Sequence, residues 1–149
     1  MKVKELGHLA FKCRDLKRSE RFYTDVLGFE RKFSLKYSDR LPAEQGSDPD
    51  REWIVYLKVS DRLFIELFDP EGADKSGVPD WQTFNYQHLA LIVDDIFEAE
   101  RELRLHGAPI DSKPELGIDN TWQMWSHDPD GNKIEFMQYT DKSYQLVGR

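Results

Sequence analysis

A single cysteine, Cys13, stands in 149 residues, so an internal disulfide and a zinc site built from several thiolates are both excluded. Positive charge is in deficit: 21 Lys and Arg face 28 Asp and Glu, a formal net charge of −7. A surface of that sign does not track phosphate backbones, and no nucleic-acid partner is expected. No apolar run approaches the roughly 18 residues that a membrane span requires, so no membrane partner is expected either. The opening MKVKELGHLA has no apolar core of a secretory signal, which makes the cytoplasm the expected compartment. Apolar residues are still plentiful, at 39% with 13% aromatics, enough for a packed core and too many for a disordered chain. Cys13 lies in an apolar stretch and reads as a small buried strand residue.

The chain repeats itself. GHLAFKCRD at 7–15 returns as QHLALIVDD at 87–95. Aligned without gaps from His8 and His88 to Arg21 and Arg101, the copies agree at six of fourteen positions, Asp15/Asp95 and Glu20/Glu100 among them. Leu6–Cys13 and His88–Val93 have the short apolar pattern of strands. Asp15, and Asp94 or Asp95, then stand where a helix N-cap belongs, because a side-chain oxygen there accepts an orphan backbone N–H. Leu16, Phe22, Tyr23, Val26 and Leu27 fall on one face of the first helix, and Ile96, Ala99, Leu103 and Leu105 on one face of the second. Gly28 and Gly107 follow as left-handed caps.

A second repeat has a different offset. WIVYLKVSDRLFIELF at 53–68 matches WQMWSHDPDGNKIEFM at 122–137, pairing Trp53/Trp122, Asp61/Asp130, Ile65/Ile134 and Glu66/Glu135. Each copy reads as strand, tight turn, strand, with Asp-Pro-Asp-Gly at 128–131 the strongest turn signal. The offsets differ because the first half carries the polar stretch SDRLPAEQGSDPDRE at 38–52, which is expected to be a surface loop. Each half is therefore strand, helix, then two or three strands. The expected divisions are a first module at 1–68, a linker at 69–86, a second module at 87–140 and a tail at 141–149, within one structural domain.

Two His and two Glu recur. A lone His on an apolar strand usually has a structural role, and a Glu between apolar neighbours can simply face water. An unpaired buried carboxylate costs several kcal/mol, so Glu66 in FIELF and Glu135 in KIEFM otherwise need a cation or a donor. Similar halves packed about a pseudo-twofold axis would bring His8, Glu66, His88 and Glu135 toward one point. Two imidazoles and two carboxylates suit one divalent first-row ion, and the carboxylates neutralise its charge. Four protein donors leave two octahedral positions for water or substrate.

The combination GHLAF…FYTDVLGFE, FIELF, HLALIVDD and DPDGNKIEF resembles the vicinal oxygen chelate superfamily, from Val3 to Tyr139. That superfamily includes glyoxalase I, fosfomycin and bleomycin resistance proteins, methylmalonyl-CoA epimerase and extradiol dioxygenases. The resemblance implies an α+β fold of two tandem βαβββ modules forming a cupped mixed sheet. His8, Glu66, His88 and Glu135 match the two-His, two-Glu ligand pattern of glyoxalase I, which implies one Ni, Co, Zn or Mn ion. Fosfomycin enzymes and extradiol dioxygenases use three ligands, the epimerase has Gln in place of Glu66, and bleomycin-binding members generally lack the ligands. The activity implied is a lyase or isomerase, lactoylglutathione lyase-like, that converts a hydroxy-carbonyl substrate through an enediolate, with Glu135 as base and Glu66 as its partner. The substrate implied is a small carbonyl compound, in glyoxalase I a thiol adduct. Two positions depart from the pattern: Lys12 replaces an Arg that meets glutathione, giving a point charge rather than a bidentate fork, and Pro70 replaces an Asn and offers no donor. In dimeric relatives one chain's first module faces the other chain's second, which implies a homodimer with shared sites.

Strand alternation puts Ala10 and Lys12 on the face of His8. Trp122, Trp125 and Met124, with Phe64, Phe68 and Trp53, are candidates either for an apolar pocket or for core; Lys12, Phe64, Trp122 and Met124 are the residues expected at substrate. His106 reads as a helix-end residue and His127 as exposed, neither with a metal role. Two other readings of the same fold stay open: a drug-binding resistance-type protein without catalysis, and an Fe(II) extradiol-type dioxygenase.

Overall fold

The computed structural model describes residues 1–39, 48–73, 75–77 and 86–148. Residues 40–47 of the expected loop, 74 and 78–85 of the expected linker, and Arg149 lie outside the described residues. The chain divides into two compact units, Met1–Gly77 and Val78–Arg149.

In the first unit β1 (His8–Lys12), α1 (Leu16–Arg21), β2 (Glu30–Lys36), β3 (Glu52–Lys58) and β4 (Phe64–Phe68) follow one another. They form a mixed sheet in the order β1-β4-β3-β2. β1 runs parallel to β4, whereas β3 is antiparallel to both of its neighbours. Asp15 is the N-cap, its carboxylate accepting from the backbone N–H of Arg18, as the position of that Asp foretells. α1 gives way to a π-helical turn at Phe22–Val26, which swings the chain off the regular helical register. Phe22 and Tyr23 are buried, but Val26 and Leu27 are only partly so, and the apolar face is narrower than a continuous helix would give. Val55, Leu57, Ile65 and Leu67 alternate along β3 and β4 onto the buried face, with α1 against β4. Cys13 is buried there, as its apolar context suggests.

Two charged networks secure this unit. Asp69 is 6% exposed and accepts from the Tyr37 hydroxyl at 3.1 Å and from Arg51 Nε at 3.1 Å. It ties the segments before β3 and after β4 together, so Asp69 belongs to this unit rather than to a loose linker. On α1's side Glu52 receives Lys17, Ser34 and Arg31. Burial alone would raise its carboxyl, but these three donors outweigh burial and pull it from the usual 4.5 to about 2. A pKa depressed in the folded state contributes stability above the unfolded value and loses it as pH falls toward the folded one. The urea midpoint of unfolding should therefore fall as pH is lowered from 4.5 toward about 2, and Glu52→Gln should flatten that part of the profile. An unchanged slope in the variant would remove the network from the explanation.

The second unit repeats the plan with β5 (Leu89–Ile92), α2 (Ile96–Leu105), β6 (Glu115–Leu116), β7 (Trp122–His127) and β8 (Lys133–Gln138), then α3 (Tyr144–Val147). Its sheet order is β5-β8-β7-β6, with β5 parallel to β8 and the remaining pairs antiparallel. Asp95, not Asp94, caps α2 by accepting from the N–H groups of Phe97 and Glu98. Ile96 and Leu103 are buried, but Leu105 is 83% exposed; it sits at the last position of α2, past the turn that meets the sheet. Gly28 and Gly107 have φ of +72° and +66°, the left-handed conformation that lets each chain leave its helix. In the β7–β8 turn the Asp128 carboxylate accepts from the N–H groups of Asp130 and Asn132, both at 2.9 Å. Each unit is thus a complete βαβββ module, and the fold is α+β. Among the described residues no helix is long and apolar enough to cross a membrane.

Candidate functional site

The parallel strand pair of each unit places the candidate ligands. β1 opens with His8, and Glu66 is central in β4, with Ala10 opposite Glu66 across the ladder. The sheet face opposite α1 carries both side chains, and His8 Nδ1 lies 3.6 Å from Glu66 Oε1. The imidazole is open, its side chain 57% exposed, whereas the carboxylate is 11% exposed. His88 directly precedes β5, and Ala90 stands opposite Glu135 of β8. His88 Nε2 is 3.2 Å from Glu135 Oε2. Each unit therefore builds a His–Glu pair at matched places, one accessible nitrogen beside one largely buried carboxylate.

The surroundings of the two carboxylates differ. Antiparallel pairing sets Tyr56 opposite Glu66 and Trp125 opposite Glu135. Burial, followed by the charge of the neighbouring Glu66 carboxylate, pushes the Tyr56 phenol up. Its ring stacks on Phe33 with centroids 4.2 Å apart. Trp125 instead meets the edge of His88 at 4.9 Å between centroids and lies under Lys133, whose Nζ is 5.7 Å from the ring.

Lys12, at the far end of β1 opposite Phe68, and Phe64, opposite His8, share the face of the first pair by alternation. Trp122 and Met124 do not share the face of the second. Trp122 packs edge-on against Phe97 of α2 at 5.2 Å, and Met124 is 0% exposed. Both alternate with Trp125 and point to the helix-covered side, so core packing claims them and Trp125 is the aromatic beside Glu135. The first and second hairpins align at one offset, so Tyr56 and Trp125 are equivalent positions ten and ten residues before their Glu. That signal was available in the sequence. His127 is partly buried, its Nδ1 2.9 Å from an Asp111 carboxylate oxygen. A cavity of about 310 Å³ in the first unit is lined by Arg14, Lys17, Arg51, Asp69, Pro70 and Lys75 among others. None of the candidate ligands borders it.

An imidazole nitrogen and a carboxylate oxygen are donors that first-row dications accept. Within each unit, among the described residues, no third His, Cys, Asp or Glu joins the pair in a group able to hold a metal ion. Two donors fill at most half of a four-coordinate shell, so neither pair alone completes a site, although its donor types suit a divalent metal.

The chain is 32% identical over 138 residues to the lactoylglutathione lyase of Escherichia coli O157:H7, covering 91% of this chain and 93% of that protein. It is 29% identical over 138 residues to a protein named probable lactoylglutathione lyase in Synechocystis sp., covering 92% and 97%. The crystal structure of a glyoxylase/bleomycin resistance protein/dioxygenase domain from Frankia sp. EAN1pec superposes with a TM-score of 0.73, at 18% identity and 96% and 97% coverage, which speaks for the fold alone. Residues 5–136 match the model of the Glyoxalase/Bleomycin resistance protein/Dioxygenase superfamily, and the chain belongs to that superfamily.

Proposed function

We propose that this chain is a divalent-metal-dependent lyase of the lactoylglutathione lyase kind, acting on a hydroxy-carbonyl adduct of a small thiol. One observation carries the reading. Each half brings one His and one Glu together on the open face of its sheet, 3.6 Å apart in the first and 3.2 Å in the second. Relatives near 30% identity named lactoylglutathione lyase support the same activity.

His8, Glu66, His88 and Glu135 would hold the ion, Ni, Co, Zn or Mn, and two carboxylates balance its charge. When bound, a dication supplies Lewis-acid stabilisation of the negative charge that develops on the substrate's oxygens. A second copy of the chain, contributing its other module, is the arrangement we favour for uniting the pairs. Glu135 takes the carbon-bound proton and returns it to the neighbouring carbon, a general-base role. Glu66 remains the anchoring carboxylate. Trp125 and the largely buried setting of Glu135 keep bulk water from the proton while it is held. Lys12, exposed at the end of β1, offers a charge for an acidic end of the thiol, as a point rather than a fork.

The test is an assay with methylglyoxal and glutathione on protein loaded in turn with Ni, Co, Zn and Mn. Conversion of the hemithioacetal with at least one metal is the expected result. Failure with glutathione but turnover with another small thiol would keep the chemistry and change the substrate. Binding of the carbonyl compound without turnover under every metal and thiol would favour a sequestering protein.

A further inference from the structure

The open faces of the two sheets match at their His–Glu pairs and differ around them. By the repeat, Lys12 corresponds to Ile92 and Phe64 to Lys133. In the first unit Lys12 is exposed at the far end of β1, and the residue opposite His8 is the apolar Phe64. In the second unit the order is exchanged. Ile92, 63% exposed, ends β5, and Lys133 opens β8 two positions before Glu135, hence on the same face. Leu89 stands opposite Ile134 in the parallel ladder, so one step back along both strands brings Lys133 beside His88. The half-buried Lys133 has its Nζ 5.7 Å from the centre of the Trp125 ring, and Trp125 in turn meets His88 edge-on at 4.9 Å. The cation of this unit therefore sits next to the pair and not at the strand's far end.

We propose that Lys133 is a specificity-determining residue, whose ammonium receives a carboxylate of the substrate beside the His88–Glu135 pair. The proposal takes its substrate, a hydroxy-carbonyl adduct of a thiol, from the lyase reading above and narrows it to adducts that carry a carboxylate. A chain of net charge −7 repels anions at long range, so an acidic substrate depends on a local cation of this kind. The indole face attracts the ammonium and steadies a flexible side chain, and an ammonium has three donors, so it serves a substrate oxygen while resting on the ring. Charge assistance makes that hydrogen bond roughly twice as strong as a neutral one. Two residues of strand separate Lys133 from Glu135, about 7 Å, a span that a few bonds of substrate cover. An anion held at Lys133 thus leaves a nearby carbon within reach of the base. The carboxylate can belong to the thiol or to the carbonyl compound, since both present the same group.

Calorimetric titration of the full-length chain with three product-like thioesters tests this without turnover. The lactoyl thioester of glutathione has its carboxylates on the thiol, the hydroxyglutaryl thioester of mercaptoethanol has one on the acyl part, and the lactoyl thioester of mercaptoethanol has none. Lys133→Met keeps the length of the side chain and removes its charge. It should weaken binding of at least one acidic thioester by about 10-fold, the value of one hydrogen bond to a charged group, and leave the neutral one unchanged. Lys133→Phe, which installs the first unit's residue, should lose as much, and Lys133→Arg should restore binding. The loss should shrink as salt is raised, which a packing defect would not do. Whichever acidic thioester is weakened names the half of the substrate that carries the carboxylate. No binding of either acidic thioester by the wild-type chain, no loss in Lys133→Met, or an equal loss with the neutral thioester would overturn the role of Lys133. Turnover of the methylglyoxal adduct alongside such a result would leave the lyase reading standing, whereas Lys133-dependent binding without turnover under any metal would sink that reading and keep the anion site.

Discussion

Replacing Glu135 by Gln should lower kcat by about 100- to 10,000-fold, the range that a positioned general base contributes, while a metal ion is still bound. Gln preserves the length of the side chain and one oxygen donor, so the amide still reaches toward the ion beside His88. It cannot accept a proton. Glu135 is 15% exposed and 3.2 Å from His88 Nε2, so the amide inherits a defined position rather than a disordered one. The loss should fall on kcat, with KM little altered, because the proton is moved only in the transition state. Glu66→Gln should cost more in metal affinity than in kcat at saturating metal, since in this reading Glu66 anchors the ion and does not move the proton. Unchanged kcat in Glu135→Gln would remove the base. A larger kcat loss in Glu66→Gln than in Glu135→Gln would reverse the two roles.

The second large effect is on stability. An ion that binds the folded chain and not the unfolded one stabilises it by about 2.7 kcal/mol at a hundred times its Kd. For a chain of this size each kcal/mol moves Tm by roughly 2–4 °C, so restoring metal to stripped protein should raise Tm by about 5–10 °C. The shift should vanish in His8→Ala and in His88→Ala. Either variant leaves the ion one complete pair and one stranded carboxylate, which is a poor site for a dication. Scanning calorimetry of the three proteins with and without added nickel reads this directly. A full shift in either His variant would mean that the imidazole it removes is not a ligand.

How much of this was legible in the sequence depends on whether the signal was repeated or local. The βαβββ modules could be read from two ungapped repeats, and the association of His8 with Glu66 and of His88 with Glu135 from their recurrence. Asp15, Asp95, Gly28 and Gly107 announced the helix ends because capping chemistry is local. Side-chain faces in the second hairpin were not legible. Trp122, Met124 and Trp125 differ there by single steps in a period of two, and one step exchanges the pocket for the core. Leu105 fits the apolar stripe of α2 by spacing, yet lies beyond its contact with the sheet. The π-helical turn after Arg21 cut short the stripe expected through Leu27. Asp69, Tyr37 and Arg51 meet across gaps of up to 32 residues, and no local pattern records such a meeting.

The most direct measurement is elemental analysis of the full chain purified without chelator, beside two paired variants, His8→Ala/Glu66→Ala and His88→Ala/Glu135→Ala. About one Ni, Co, Zn or Mn per wild-type chain is expected, with none in either paired variant, because neither pair suffices alone. A wild-type chain without metal, or a full complement of metal retained after one pair is removed, would contradict a shared site of two His–Glu pairs.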